Sequence, residues 1–265
     1  VSGDRGFGFL KVVKAQSIAW ALSAYKHADT GTTSQLNQTA MEAFWLDLGF
    51  LEYQPAFSIQ EQVLDARLAG DLPSTIILQE DPPTITIGRS GSYANVLVAL
   101  GELNQRGVKV IEVNRGGDVT YHGPGQLIVS PLLYLGDIAL NANQYLHRLE
   151  DLLIELLAVY NIPSGKKTNA PGVWVGEVKI ASVGIAVRHG FTFHGFSINV
   201  NLDLEPFQWI HPCGMPHMPV TSMAQLLGKE VDMMEVKRRV RGIIGQVFDM
   251  QIQDAAWPDL QTMTT

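Results

Sequence analysis

The 265 residues contain a single cysteine, Cys213, and its neighbours are not those of a core cysteine. It stands between Pro212 and Gly214 in "WIHPCGMPHMP", a stretch with three prolines. A cysteine kept for packing behaves as a small hydrophobe and belongs in an apolar strand or helix. One fixed by proline and given room by glycine suits a nucleophile. A free thiol, with a pKa of about 8.5, is mostly protonated at neutral pH, so such a nucleophile needs a group that favours the thiolate. His122, His194, His211 and Lys179 could each serve, and spacing alone does not choose among them. Zinc is the competing reading, because His211, Cys213 and His217 offer two imidazoles and a thiolate in a short stretch. The prolines limit their convergence and no CxxC or HxxxH pair adds a fourth ligand, so no metal is expected.

Lys179 opens "KIASVGIAV", where it shares strand parity with Ala181, Val183, Ile185 and Val187. A lysine on an apolar face needs a partner. The plainer alternative is a strand-end lysine whose stem carries the ammonium out to water. A third feature is "NRGGDVTYHGPGQ", Asn114–Gln126, with four glycines. It lies between strands, ends in no lysine-serine pair and lacks dinucleotide spacing, so nucleotide binding has little support. Bare backbone suits either amides offered to a carbonyl or carboxylate, or the passage of a thin apolar ligand; a sharp hairpin is the bland alternative. In "FTFHGFSINV" the apolar parity switches at His194–Gly195, which predicts a bulge that would admit another backbone or a ligand.

These residues need elements to hold them. "AFWLDLGFLEY" reads as strand and turn, and Ser58 with Glu61 reads as a capping box opening a helix to about Ala69. "TIILQE", "TITIG", "VKVIEV" and "LIVSPLLYL" read as strands, as do "GVWVG", "KIASVGIAV" and "FTFHGFSINVN". Leucines at spacings of three and four mark a helix over Asn143–Tyr160, and a second runs over Glu235–Phe248. Strands cluster, with long helices between clusters, so the predicted class is α+β: a mixed sheet with packed helices. Residues 1–40 lack apolar periodicity and read as a non-core extension; 41–250 form the expected domain and 251–265 a tail.

Composition narrows the function. A net charge of −7 argues against nucleic-acid binding. No run of apolar residues is long enough to span a membrane, and Ile18–Ala24 only loosely resembles a signal segment. One cysteine permits no internal disulfide, which suits a reducing cytoplasm.

Three segments, "RGGDVTYHGPGQ", "APGVWVGEVKIASVGIAVRHGFTFHGFSINVNLDL" and "PCGM", resemble the lipoyl(octanoyl) transferases over about Met41 to Asp249. The resemblance implies a fold related to lipoate and biotin protein ligases. It implies movement of an octanoyl group from acyl carrier protein to an enzyme cysteine, then to the lysine of a lipoyl domain. Such domains belong to the 2-oxoacid dehydrogenase complexes or to the glycine cleavage H protein. Neither nucleotide nor other cofactor is implied. By resemblance the cysteine is Cys213, and the lysine that favours its thiolate is Lys179. The acyl-binding segments are Arg115, Gly116, Gly117, Asp118, Val119, Thr120, Tyr121 and His122; Ser182, Val183 and Gly184; and Gly195, Phe196 and Ser197. Asp81 before Pro82 and Pro83 departs from the family's usual histidine, and His211 before Pro212 is less usual. Family chains commonly begin near Met41. Lys166, Lys167, Arg188 and Arg89 are the basic residues available to meet an acidic carrier protein.

Overall fold

The computed structural model describes residues 40–263; the N-terminal extension, apart from its last residue, and Ile18–Ala24 lie outside the described residues. The elements are β1 (Met41–Phe50), α1 (Tyr53–Ala69), β2 (Ser74–Glu80), β3 (Thr84–Ile87), α2 (Leu100–Gln105), β4 (Lys109–Glu112), β5 (Val119–His122) and β6 (Gln126–Leu132). They continue with α3 (Ala142–Val159), β7 (Gly165–Lys167), β8 (Ala170–Val175), β9 (Val178–Arg188), β10 (Phe191–Asn199), α4 (Met223–Leu227), α5 (Met233–Val247), β11 (Met250–Ala255) and α6 (Trp257–Met263). Eight strands form one mixed sheet in the order β11-β1-β2-β6-β10-β9-β8-β7, and β4-β3-β5 form a second. The class is α+β, as the strand clusters predict.

Helices cover both faces of the large sheet. In β1, Ala43 and Trp45 join the core under α3 and α5, while Phe44 and Leu46 join the one under α1. Burial on both faces explains why "AFWL" is apolar without alternation. On α3, Leu149, Leu152, Leu153, Leu156 and Leu157 are fully buried, and the helix starts at a capping box made by Asn141 and Gln144.

Three expectations are corrected. Ser58 and Glu61 do not open α1; the helix begins at Tyr53, with Pro55 in its first turn. Proline is tolerated there because first-turn amides have no helical partner, and the Ser58 hydroxyl accepts a bond from Gln62 instead. The described part of the expected tail, residues 251–263, is structured: β11 pairs in parallel with β1, and Leu260 of α6 is buried. The bulge lies elsewhere. Strand β10 keeps unbroken register against β9 from Phe191↔Arg188 to Ile198↔Ala181.

At the parity switch, His194 adopts a left-handed backbone (φ 55°) and donates its N–H to Gln60 Oε1 at 2.6 Å. Continuing the β6 register from Phe196↔Val129 sets His194 opposite Pro131, which has no amide to offer. A Cβ on Gly195 would lie 2.3 Å from Val129 O, so that glycine admits a neighbouring strand. A true shift occurs between β8 and β9, where Val173↔Ala181 is followed by Trp174↔Lys179. One extra β9 residue, Ile180, sits there beside Lys179.

Candidate active site

Two residues far apart in the sequence, Lys179 and Cys213, meet. Lys179 Nζ lies 3.3 Å from Cys213 Sγ and donates to Pro171 O at 2.7 Å. Lys179 is only 3% exposed, which rules out a side chain reaching into water. Its backbone is held on two sides: its amide donates to Pro219 O, and its carbonyl accepts from Thr221 N, both at 2.9 Å. Its ammonium also sits 5.5 Å from the centre of the Trp174 ring. Gly172 makes room for the stem, since a Cβ there would fall 2.5 Å from Lys179 Cε. Cys213 is exposed and occupies the turn Pro212–Gly214 with φ 56°. The turn is tied by His211 N to Asn95 O at 2.8 Å and by Gly214 N to His211 O at 2.9 Å. Positive φ on a non-glycine residue is strained and clusters at functional sites.

Both residues line a cavity of about 520 Å³, in the range that holds small ligands. Cys213, lining it and exposed, marks its opening. Phe57, Ile128, Leu146, Val183, Ile185 and Phe196 supply apolar wall. Of the fourteen acyl-binding residues implied by resemblance, Arg115, Gly116, Gly117, Asp118, Val119, Thr120, His122, Ser182, Val183, Gly184, Gly195, Phe196 and Ser197 line this cavity. Tyr121 does not. Strand alternation turns it into the core of the small sheet, edge-on to Phe207 at 5.8 Å between ring centres.

The glycine segment is not one loop. It comprises a loop at 114–118, strand β5 and a turn at 123–125. The Gly116 amide, a candidate anion donor, is bonded to Ile185 O at 3.0 Å, while Gly88 N and Ser90 N bond to Asp118 O and Gly117 O. Much of the bare backbone therefore admits other backbone.

Neither buried histidine can supply a cation at neutral pH. Burial, reinforced by Arg115, lowers His122 to about 4 and His194 to about 3. His211 makes no hydrogen bond to Cys213 among the described residues. His122 instead belongs to a buried chain of bonds. Arg115 Nη2 donates to Thr86 Oγ1 at 2.8 Å, and Thr86 lies 3.3 Å from His122 Nε2. His122 Nδ1 meets Gln126 Oε1 at 2.6 Å, Gln126 Nε2 donates to Asn199 Oδ1 at 2.9 Å, and Asn199 Nδ2 donates to Thr221 O at 2.9 Å. Because the Gln126 amide nitrogen is engaged as a donor, its oxygen accepts, which assigns the proton to His122 Nδ1. The chain links the glycine loop to the segment that pins Lys179.

Asp81, the departure from the family pattern, is fully buried behind the cavity wall and accepts from Gln79 Nε2 at 2.5 Å. Burial pushes its carboxyl up to about 7. Sequence reasoning missed Tyr53, Phe57, Gln60 and Gln79, which complete the wall from α1 and β2. It also missed Glu150, buried on α3, whose Oε1 accepts from Gly172 N at 2.8 Å. Among the described residues no group of three or more His, Cys, Asp or Glu is placed to hold a metal.

Solved structures share this arrangement of strands and helices. A lipoate-protein ligase A bound with ATP aligns with a TM-score of 0.69 at 16% identity, covering 84% of this chain and 93% of that one. A bipartite lipoate protein ligase from Thermoplasma acidophilum aligns with a TM-score of 0.64 at 15% identity, covering 84% and 91%. The fold is that of the lipoyl protein ligase A/B catalytic domain, whose profile matches residues 52–244. Sequence likeness is far higher to octanoyltransferases. That of Desulfotalea psychrophila is 40% identical over 78% of this chain and 94% of its own length, and that of Geobacter metallireducens is 43% identical over 78% and 93%. The octanoyltransferase of Caldicellulosiruptor saccharolyticus is 42% identical over 81% and 92%. The chain belongs to the octanoyltransferase family.

Proposed function

We propose that the chain moves an octanoyl group from the phosphopantetheine thioester of acyl carrier protein to the ε-amine of a lipoyl-domain lysine, through a thioester on Cys213. The observation that carries this reading is the 3.3 Å contact between Lys179 Nζ and Cys213 Sγ beside a largely apolar-walled cavity. An ammonium at that distance favours the thiolate. The thiolate attacks the thioester carbonyl and the carrier thiol leaves, taking a proton from Lys179. Lys179, now neutral, accepts the proton of the incoming amine as that amine attacks the Cys213 thioester. The thiolate is released and Lys179 is again an ammonium. One thioester is exchanged for another and then for an amide, so no nucleotide is required.

The acceptor is a lipoyl domain of a 2-oxoacid dehydrogenase complex or the glycine cleavage H protein, and the setting is the cytoplasm. No helix among the described residues is long and apolar enough to cross a membrane. Three of the four basic residues considered for carrier docking are already paired: Lys166 with Asp151 at 2.7 Å, Lys167 with Glu177 at 2.6 Å, and Arg188 with Asp65. Exposed Arg89 beside the cavity makes no ion pair among the described residues, which makes it the favoured contact for an acidic carrier.

The test is intact mass after incubation with octanoyl-acyl carrier protein and no ATP. A gain of one octanoyl group, absent in Cys213→Ala and discharged by a lipoyl domain, is expected. Transfer that requires ATP and passes through an acyl-adenylate would overturn the reading in favour of a ligase.

A further inference from the structure

The Pro171–Gly172 peptide has a polar partner on each side. Its carbonyl accepts from Lys179 Nζ at 2.7 Å, and its N–H donates to Glu150 Oε1 at 2.8 Å. In a trans peptide these two groups point in opposite directions. Glu150 therefore stands behind the peptide, Lys179 in front of it, and Cys213 Sγ lies 3.3 Å beyond. Glu150 is 2% exposed and comes from the leucine-rich face of α3, where a carboxylate is costly to bury. Its other oxygen lies 2.8 Å from Nδ1 of His147, a half-exposed residue one turn earlier.

We infer that Glu150 is a positioning residue for the transfer reaction, acting on Lys179 through the Pro171–Gly172 peptide. The inference rests on the Cys213–Lys179 reading and adds a third member to that pair. A carboxylate drawing on the N–H polarises the peptide, so its carbonyl becomes a stronger acceptor for the ammonium. The same bond fixes the plane of the peptide and so the position of Nζ. Gly172 is required twice, for its φ of +121° and because any Cβ would collide with the Lys179 stem and with Ala181 O. The role parallels that of a buried carboxylate orienting a catalytic base, with a backbone peptide in place of an imidazole.

Glu150→Gln keeps an acceptor for Gly172 N and removes the charge; Glu150→Leu removes both. Iodoacetamide alkylation of Cys213 at neutral pH reads the pair without any acyl substrate. In Glu150→Gln the alkylation rate and kcat are expected to fall together by about three- to tenfold, with KM for octanoyl carrier protein and the melting temperature little changed. In Glu150→Leu both rates are expected to fall by about thirtyfold or more. Unchanged alkylation and kcat in both variants, with only stability reduced, would overturn the inference. If Glu150→Leu does not fold, Glu150→Gln decides. If neither folds, the wild-type protein does: the Gly172 amide resonance is expected to move when Cys213 is alkylated, and an unmoved resonance counts against the relay. Failure of octanoyl loading in the wild type would sink the acyl-transfer reading while leaving the alkylation arms to judge Glu150.

Discussion

Lys179 and Cys213 end 3.3 Å apart, yet the chain delivers them by opposite means. Lys179 rides on β9 inside the large sheet, is buried, and is held through backbone, carbonyl and aromatic contacts. Cys213 rides on a three-residue turn, is exposed, and carries a left-handed backbone. The difference follows from what each must do. In the proposed reaction the cysteine is reached by a carrier thioester and then by an acceptor amine, so it needs access. The lysine never leaves the protein's interior, and its usefulness depends on distance, which rigid surroundings fix. Access is built from proline and glycine in a turn; fixity is built from a strand with one extra residue.

The sharpest way to break the fixed side is Lys179→Met, which keeps the apolar stem and removes the amine. Alkylation of Cys213 at neutral pH is expected to slow about tenfold, and transfer to a lipoyl domain at least about a hundredfold, with folding retained. Near-wild-type rates in both assays would mean that another group activates Cys213.

Gly172→Ala attacks the same side without touching the amine. Its Cβ would meet Lys179 Cε at 2.5 Å and Ala181 O at 2.4 Å. About a tenfold loss in kcat and a fall of about 5 °C in melting temperature are expected. A stability loss with full activity would show that Lys179 tolerates displacement.

The smallest effect is expected on the glycine-loop side, from His122→Gln. In the native state His122 is lowered to about 4 from an ordinary value of 6.5, so the unfolded chain takes up the proton first. The stability this neutral imidazole contributes is complete above about 6.5 and is lost as pH falls towards 4. Over that window the fall in melting temperature should be shallower in His122→Gln than in the wild type; His194 adds to the fall, and Asp81, raised to about 7 in the native state, opposes it equally in both proteins. Parallel slopes would remove His122 from the acid response.

Cys213 and Lys179 each stood out because each broke its own pattern, a lysine in apolar parity and a cysteine between proline and glycine, but only the family resemblance paired them. Their partners were passed over. Glu150, four after Leu146 and three before Leu153, breaks the helix pattern as Lys179 breaks its strand's, and Gly172 reads simply as the first residue of the strand "GVWVG". Tyr121 falls outside the cavity because a motif is contiguous, whereas a strand sends alternate side chains to opposite faces. The start of α1 was misplaced because Ser58 and Glu61 imitate a cap, and β11 was missed because its partner, β1, lies at the other end of the described chain.

That last pairing has a consequence for synthesis. Met41 pairs with Met250 and Leu46 with Ala255, so β1 is among the first described elements to be made and waits for one of the last. Until β11 emerges, the outer edge of β1 offers unpaired amides and carbonyls, a template for joining a second nascent chain. Parallel closure over so long a separation is slow. The sheet that carries Lys179 at its far side is thus completed at this edge only once translation has passed Ala255. Chains truncated before Met250 should emerge with an open edge and a tendency to aggregate.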